Sequence, residues 1–422
     1  MNNAIFWFRR DLRLEDNRAF HEALAAGAGG IPLYIYEPEP GLTLNARQKE
    51  YADSALAAID RQLRQAGSGL RIEDGPAPAV FERLVAEMNI ESVYANEIYE
   101  PAAIQRDERI AKMLEDKGIG LKLFPDRVYF AKDEILKADG SPYRVFTAYK
   151  KKWLEKFAGF AIPEYNTQEL FNNLKKIDQP SNSDFQNINF NSIADLNPDI
   201  IKNYDNNKDY PAIDGTTRAG ADLALGTLSV RRLVRIGAEL NQKWLDQLIW
   251  RDFFNMIMYQ HPESAGRNFN SKYDAIEWLN NPDDLGRWKA GETGYPLIDA
   301  AMRELSETGW MNNRLRMLTA GFLTKNLLTD WRYGAEHFSA ELIDHDAPLN
   351  IGNWQWAAGT GCDAAPYFRI FNPMIQRKKF DPENIYIRRW LSEREIANPR
   401  RIVDWAESRR RAIAAYQTAL ST

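Results

Sequence analysis

The chain has 422 residues, 44% hydrophobic and 27% charged, with a formal net charge of −5. That length exceeds one ordinary core and predicts two domains, and no apolar run approaches the ~20 residues of a membrane span, so a soluble protein with no membrane partner is expected. One cysteine, Cys362, and four scattered histidines (His21, His261, His337, His345) exclude a disulfide framework and clustered zinc motifs; the expectation is no metal and a reducing cytoplasm.

Over the first 130 residues short apolar runs alternate with amphipathic stretches. Ala4–Phe8, Ile31–Tyr36, Ser92–Ala95 and Leu121–Phe124 read as strands, and the first leads into Arg9, Arg10 and Asp11 without a signal-peptide cleavage pattern. Arg47–Gln65, Ala79–Met88 and Ile104–Leu114 carry helical spacing between them. This alternation predicts an α/β N-terminal domain with a doubly wound parallel sheet over 1–130. Neither G-x-G-x-x-G nor G-x-x-x-x-G-K occurs, so ordinary dinucleotide or P-loop binding is not expected. Residues 131–203 read as an interdomain linker, rich in Asn, Asp, Ser and Pro from about 166, as in Gln179-Pro-Ser-Asn-Ser-Asp184. From 204 to 422 long helical patterns, punctuated at Gly291, Gly294, Pro296, Gly334 and Pro348, predict an all-α domain.

Ten of the twelve tryptophans fall between Trp244 and Trp405, more than a core requires, although large aromatics are ordinarily core. The turn Gly215-Thr-Thr-Arg-Ala-Gly220 offers hydroxyls, small residues and a guanidinium at a helix start, which suits a pyrophosphate; a plain Thr N-cap is the alternative. Trp310-Met-Asn-Asn-Arg-Leu-Arg-Met317 puts Asn313, Arg316 and Met317 on nearby helical faces, and Asp344 or Asp346 can pair with an arginine or bond a heterocycle edge. From Arg369 to Arg411 twelve Lys and Arg stand against six Asp and Glu, either a phosphate-binding strip or a solvated face.

Together these segments resemble the photolyase and cryptochrome family over nearly the whole chain. The match runs from Phe6-Trp-Phe-Arg-Arg-Asp-Leu-Arg-Leu14 to Asn353-Trp-Gln-Trp356 and Pro366-Tyr-Phe-Arg-Ile-Phe-Asn-Pro373. The resemblance implies an antenna-type first domain and an all-α C-terminal FAD-binding domain beneath a hole for a flipped lesion. The first domain could hold a folate, a deazaflavin, a second flavin, or nothing. By motif position Tyr204, Thr216, Thr217, Arg218 and Gly220 would cradle FAD phosphates and ribose, with Arg251 nearby; Arg316, Asp344, Asp346, Asn313 and Asn350 would line the rest of the cofactor. An Asn at 350 can hydrogen-bond a protonated ring nitrogen, where an Asp would favour other redox states. Trp354, Trp331 and Trp288 match an electron path from flavin to surface. Trp250 and Trp356 would stack on the lesion, with Trp244, Gln247, Asn313, Arg314 and Met317 around it.

The implied activity is that of a deoxyribodipyrimidine photolyase, a carbon-carbon lyase acting on UV-damaged DNA as a monomer, most like a class I cyclobutane enzyme. Gln247 departs from the glutamate common there, keeping the hydrogen bond and losing the proton. Gln also occurs in (6-4) photolyases, which use a histidine in the helix matching 310–317; this helix has none, and cyclobutane splitting needs no net proton transfer. A cryptochrome light sensor is the main alternative, although the sequence ends at Thr422 with no long tail expected. Asn312 stands where His is common.

Overall fold

The computed structural model describes residues 3–27, 29–176, 185 and 188–421. Five parallel strands, β1 (Asn3–Phe8), β2 (Gly29–Tyr36), β3 (Arg71–Asp74), β4 (Ile90–Asn96) and β5 (Gly120–Phe124), form a sheet in the order β3-β2-β1-β4-β5. The interleaved helices are α1 (Arg18–Ala25), α2 (Ala46–Gln65), α3 (Ala77–Glu87) and α4 (Pro101–Glu115). The doubly wound sheet is as the sequence predicts, and β1 shows why its centre was legible. Ile5 and Trp7 join the core with Val80, Phe81 and Ile110 of α3 and α4, while Phe6 and Phe8 meet Phe20 of α1. A strand buried on both faces reads as a continuous apolar run, and each such side chain stabilises by about 1.5–3 kcal/mol. β3 escapes sequence reading because Arg-Ile-Glu-Asp has the charged composition of an edge strand.

The charged part of the first motif is a buried polar knot. Asp11 accepts from the Arg9 amide at 2.7 Å and from the Asn96 side chain at 2.5 Å, while Asn17 caps α1. Arg9 pairs with Asp107, and Arg13 and Arg231 bracket Asp126. Burial pushes the Asp126 carboxyl up, but the two guanidinium groups outweigh it and hold the group below the usual carboxylate range.

By contacts the described chain forms two compact units, Met1–Tyr143 with Thr147–Asp195 and Arg218–Gln260 in one, and Arg144–Phe146 with Leu196–Thr217 and His261–Thr422 in the other. Residues 131–203 hold a helix, α5 (Phe146–Ala158), with Tyr149 and Trp153 buried. The stretch Gln179–Asp184, read as linker, lies outside the described residues. The next helices are α6 (Pro198–Lys202), α7 (Tyr204–Asn207), α8 (Gly220–Leu225), α9 (Val230–Leu240) and α10 (Gln242–Gln260). α8 to α10 count with the α/β unit for physical reasons. Gly226 closes α8 at φ +69°, where a Cβ would lie 2.3 Å from the Arg10 carbonyl, and the Leu12 amide donates to Leu225 at 3.0 Å. Asp252 of α10 accepts from Trp153 Nε1 at 2.9 Å and from the Tyr129 and Phe130 amides.

Among its described residues the second unit has helices and no strand: besides α6 and α7 these are α11 (Pro282–Ala290), α12 (Pro296–Thr308), α13 (Asn313–Gly321), a π-helical turn at Phe322–Asn326, α14 (Trp331–Glu341), α15 (Ala347–Ala358), α16 (Pro373–Phe380), α17 (Glu393–Ala397) and α18 (Trp405–Ser421). Pro296 and Pro348 fall in the first turns of α12 and α15, where a missing N–H costs nothing.

Candidate functional site

α13 enters through a cap that resolves the odd Asn312. Its side chain accepts from the Arg314 amide at 2.8 Å and its Nδ2 donates to the Lys208 carbonyl at 3.0 Å, so one buried amide starts α13 and ties it to the segment after α7. Arg316 follows, with Nε on the Met311 carbonyl and Nη2 on Asp344 Oδ2, both at 2.8 Å. The other oxygen, Asp344 Oδ1, is buried and has no hydrogen-bond partner among the described residues. Asp346 is buried at the head of α15. Four residues on, Asn350 Nδ2 donates to the Ala335 carbonyl at 2.9 Å. A carbonyl can only accept, so this contact fixes the amide and directs the Asn350 Oδ1 acceptor away from α14.

The tryptophans of this unit divide by burial. Trp354 lies against α14, where Gly334 has no room for a side chain: a Cβ there would meet the indole at 2.1 Å. Trp331 is buried with Nε1 on Asn268 Oδ1 at 2.9 Å. Trp288 is 0% exposed, donates to the Thr319 carbonyl at 3.1 Å, and stands edge-on to Trp354 with ring centroids 6.1 Å apart. Its neighbour His337, 5.6 Å away, is pushed down to about 4 by burial and by Lys289, so the imidazole is neutral. Full burial corrects the expectation that Trp288 is the surface end of a path. Trp278 is half-buried, edge-on to Tyr416 with ring centroids 6.1 Å apart, and its segment is joined to the start of α14: the Leu279 amide donates to Leu328 at 2.8 Å and the Asp330 amide to Asn280 Oδ1 at 2.9 Å. Sequence reasoning missed it because helical periodicity reports nothing about exposure in the loop before α11.

On α13 Asn313 is exposed with Nδ2 3.9 Å from the half-buried Met317 sulfur, and Trp356 on α15 is half-buried. Arg314, expected at the lesion hole, instead pairs with Asp209 at 2.9 Å and lies over Phe380. Tyr204 and Thr216 are half-buried and Thr217 buried. In the α/β unit Arg218 is exposed at φ +50°, a left-handed conformation unusual for a side chain of its size, and Gly220 opens α8. Arg251 is buried, its guanidinium on the carbonyls of Arg127 and Leu223, so it anchors α8. Trp244 is buried against Gly237, which limits any face it could offer. Gln247 is exposed with Nε2 on the Lys243 carbonyl at 3.2 Å, and the half-buried Trp250 stacks on Phe254 at 5.3 Å. Lys150 of α5 holds Asp246 at 2.6 Å while Lys151 and Lys152 are exposed, a basic strip unnoticed within the presumed linker.

The comparisons with known proteins agree with this geometry. Residues 4–169 match the family described as DNA photolyase, and 244–415 match the FAD binding domain of DNA photolyase. The deoxyribodipyrimidine photo-lyase of Escherichia coli (strain K12) is 36% identical, the alignment covering 99% of each chain. The chain belongs to the DNA photolyase family. Among solved structures, this photolyase-family chain is similar to an archaeal photolyase from Sulfolobus tokodaii with two FAD molecules, at TM-score 0.82 and 32% identity over 99% of this chain and 100% of that one. A Synechocystis sp. PCC6803 cryptochrome is also similar, at TM-score 0.81 and 25% identity over 98% and 99%. Its C-terminal part is thus an FAD-binding domain, and the residues present fit that cofactor: Asp344 Oδ1 is an unused acceptor for a ring N–H or hydroxyl, and Asn350 Oδ1 is a second one with a fixed direction.

The photolyase-type α/β unit has a cavity of its own, about 470 Å³, at the C-terminal ends of its strands and lined by Arg9, Tyr34, Tyr36, Glu37, Glu100 and Arg106. Glu37 Oε1 is buried without a hydrogen-bond partner among the described residues, and Glu100 meets Arg127 only at 3.4 Å. Among those residues no helix is long and apolar enough to cross a membrane, and no cluster of metal-ligating side chains occurs.

Proposed function

We propose that the protein splits cyclobutane pyrimidine dimers in UV-damaged DNA, as a class I type of deoxyribodipyrimidine photolyase. One observation carries the choice of lesion: α13 presents Asn313 and Met317 where (6-4) repair, by family resemblance, needs a histidine acid. Bound and reduced, FAD supplies the electron when it absorbs light. Asp344 and Asn350 hold and orient its ring edge, and Tyr204, Thr216, Thr217, Arg218 and Gly220 serve its phosphates and ribose. Half-buried Trp250 and Trp356 offer stacking faces for the extruded dimer, and Gln247 bonds it without giving up a proton. Trp354, Trp331 and Trp278 would serve as the electron path to the cofactor, with half-buried Trp278 taking the terminal place in preference to the fully buried Trp288. Functionally we divide the chain into an antenna domain (1–130), a connection (131–203) and a catalytic domain (204–422). The strand-end cavity is our candidate for the antenna pigment, and its unpaired acidic oxygens favour a ligand rich in N–H and O–H donors.

The deciding experiment illuminates the reduced protein with blue light on oligonucleotides carrying either lesion. Cyclobutane dimers should revert and (6-4) products should persist. Gln247 and the similarity to a cryptochrome favour a light sensor as second reading, and unchanged dimers with the flavin fully reduced would establish it over repair.

A further inference from the structure

The π-helical turn between α13 and α14 buries a lysine that none of the chemistry above uses. Lys325 is 2% exposed, and among the described residues its Nζ donates to one acceptor, the Arg369 carbonyl, at 3.3 Å. The same turn is fastened to α18, where Asn326 Nδ2 donates to Ser408 Oγ and Arg411 Nη2 to the Asn326 carbonyl, both at 2.8 Å. Trp405 of α18 holds a second carbonyl of that loop, two residues on, donating from Nε1 to Phe371 at 2.9 Å. The loop 366–372 has no regular secondary structure, yet it displays Phe368, 58% exposed, and the exposed Arg369. Its backbone is thus fixed from below by two side chains, one an ammonium group with a single long hydrogen bond.

We propose that Lys325 is a positioning residue, whose buried ammonium clamps the Arg369 backbone and so sets how Arg369 is presented to a DNA phosphate. The proposal rests on the reading of this protein as a DNA-binding photolyase. A neutral side chain of the same length would fill the space and leave the carbonyl unheld, so the chemistry of the clamp, not its volume, is at stake. Arg369 itself and Arg411 from α18, both cationic, reach the turn and the loop it supports, and burial with the nearby Arg369 pushes Lys325 down to about 8. The raised-pH side of neutrality should therefore loosen the clamp.

The test is a double-mutant cycle on damaged-duplex binding with FAD-loaded protein, reading affinity and its salt dependence. K325M should weaken binding about tenfold and lower the slope of log affinity against log salt by about one, the loss of one phosphate contact. R369A should do the same, and the double variant should be no worse than R369A alone, because Lys325 acts through Arg369. Additive losses, or a K325M slope equal to that of the original protein, would overturn the proposal. If R369A binds as before, the DNA reading of this loop is what fails; trypsin cleavage after Arg369 then decides the clamp, faster in K325M if it exists and unchanged if it does not. Should K325M fail to retain FAD, the unaltered protein on either side of pH 8 replaces it: a slope lower by about one at the higher pH supports the clamp, and an equal slope refutes it.

Discussion

Both units hold arginine–aspartate pairs, and the difference lies in the oxygens left over. In the α/β unit Asp11, Asp107 and Asp126 have both carboxylate oxygens engaged by arginines, amides or asparagine. In the helical unit Asp344 gives one oxygen to Arg316 and keeps the other buried without a partner. A closed pair holds a fold together, whereas an open one in a buried place is an offer to a ligand. The two motifs look equally charged in sequence, yet one is closed as scaffold and the other is left open, as the proposed cofactor site requires.

The largest effect expected from that contrast is on Asp126. D126N should lose about 3–5 kcal/mol, because Arg13 and Arg231 would remain buried without a full counter-charge; urea unfolding measures it, and repair per folded molecule should stay unchanged. Its stability contribution depends on pH with a definite sign. Since the folded carboxyl is held below its unfolded value of about 3.9, the contribution is present above that value and vanishes as pH falls through the folded one. D126N should therefore unfold with less acid dependence than the original protein.

At the open pair the loss should appear in the ligand. D344N should weaken FAD binding by about 1.5–3 kcal/mol, the worth of hydrogen bonds to a charged group, with a smaller change in the stability of the FAD-free protein. Equal losses in stability for D344N and D126N would erase the distinction between the pairs. W250A should cost about 1–3 kcal/mol in damaged-DNA binding while leaving flavin content intact. The smallest effect is N312A, about 0.5–2 kcal/mol of stability from the lost cap, which equilibrium unfolding would register.

How much of this was legible beforehand follows from the physics of each element. Strands buried on both faces and helices with an apolar stripe announce themselves; β3 and α5 do not, since an edge strand is charged and α5 shows Tyr149 and Trp153 among lysines. Motif position gave Arg316 with Asp344, and the structure brings the two together. It did not give direction: Arg314 turns to Asp209, Arg251 to backbone carbonyls, and Trp288 into the core. Nor could sequence reveal which way Lys325 points, because the five-residue π turn departs from the helical period on which such readings depend.

Two sets of tryptophans with separate jobs are central to the proposed function, and one crossed measurement tests that division: flavin photoreduction and dimer splitting in W354F and W250A. With the flavin reduced chemically, W354F should split dimers at the normal yield yet fail to photoreduce, and W250A should photoreduce normally yet split poorly at limiting DNA. Loss of splitting in pre-reduced W354F, or undiminished splitting in W250A, would contradict it.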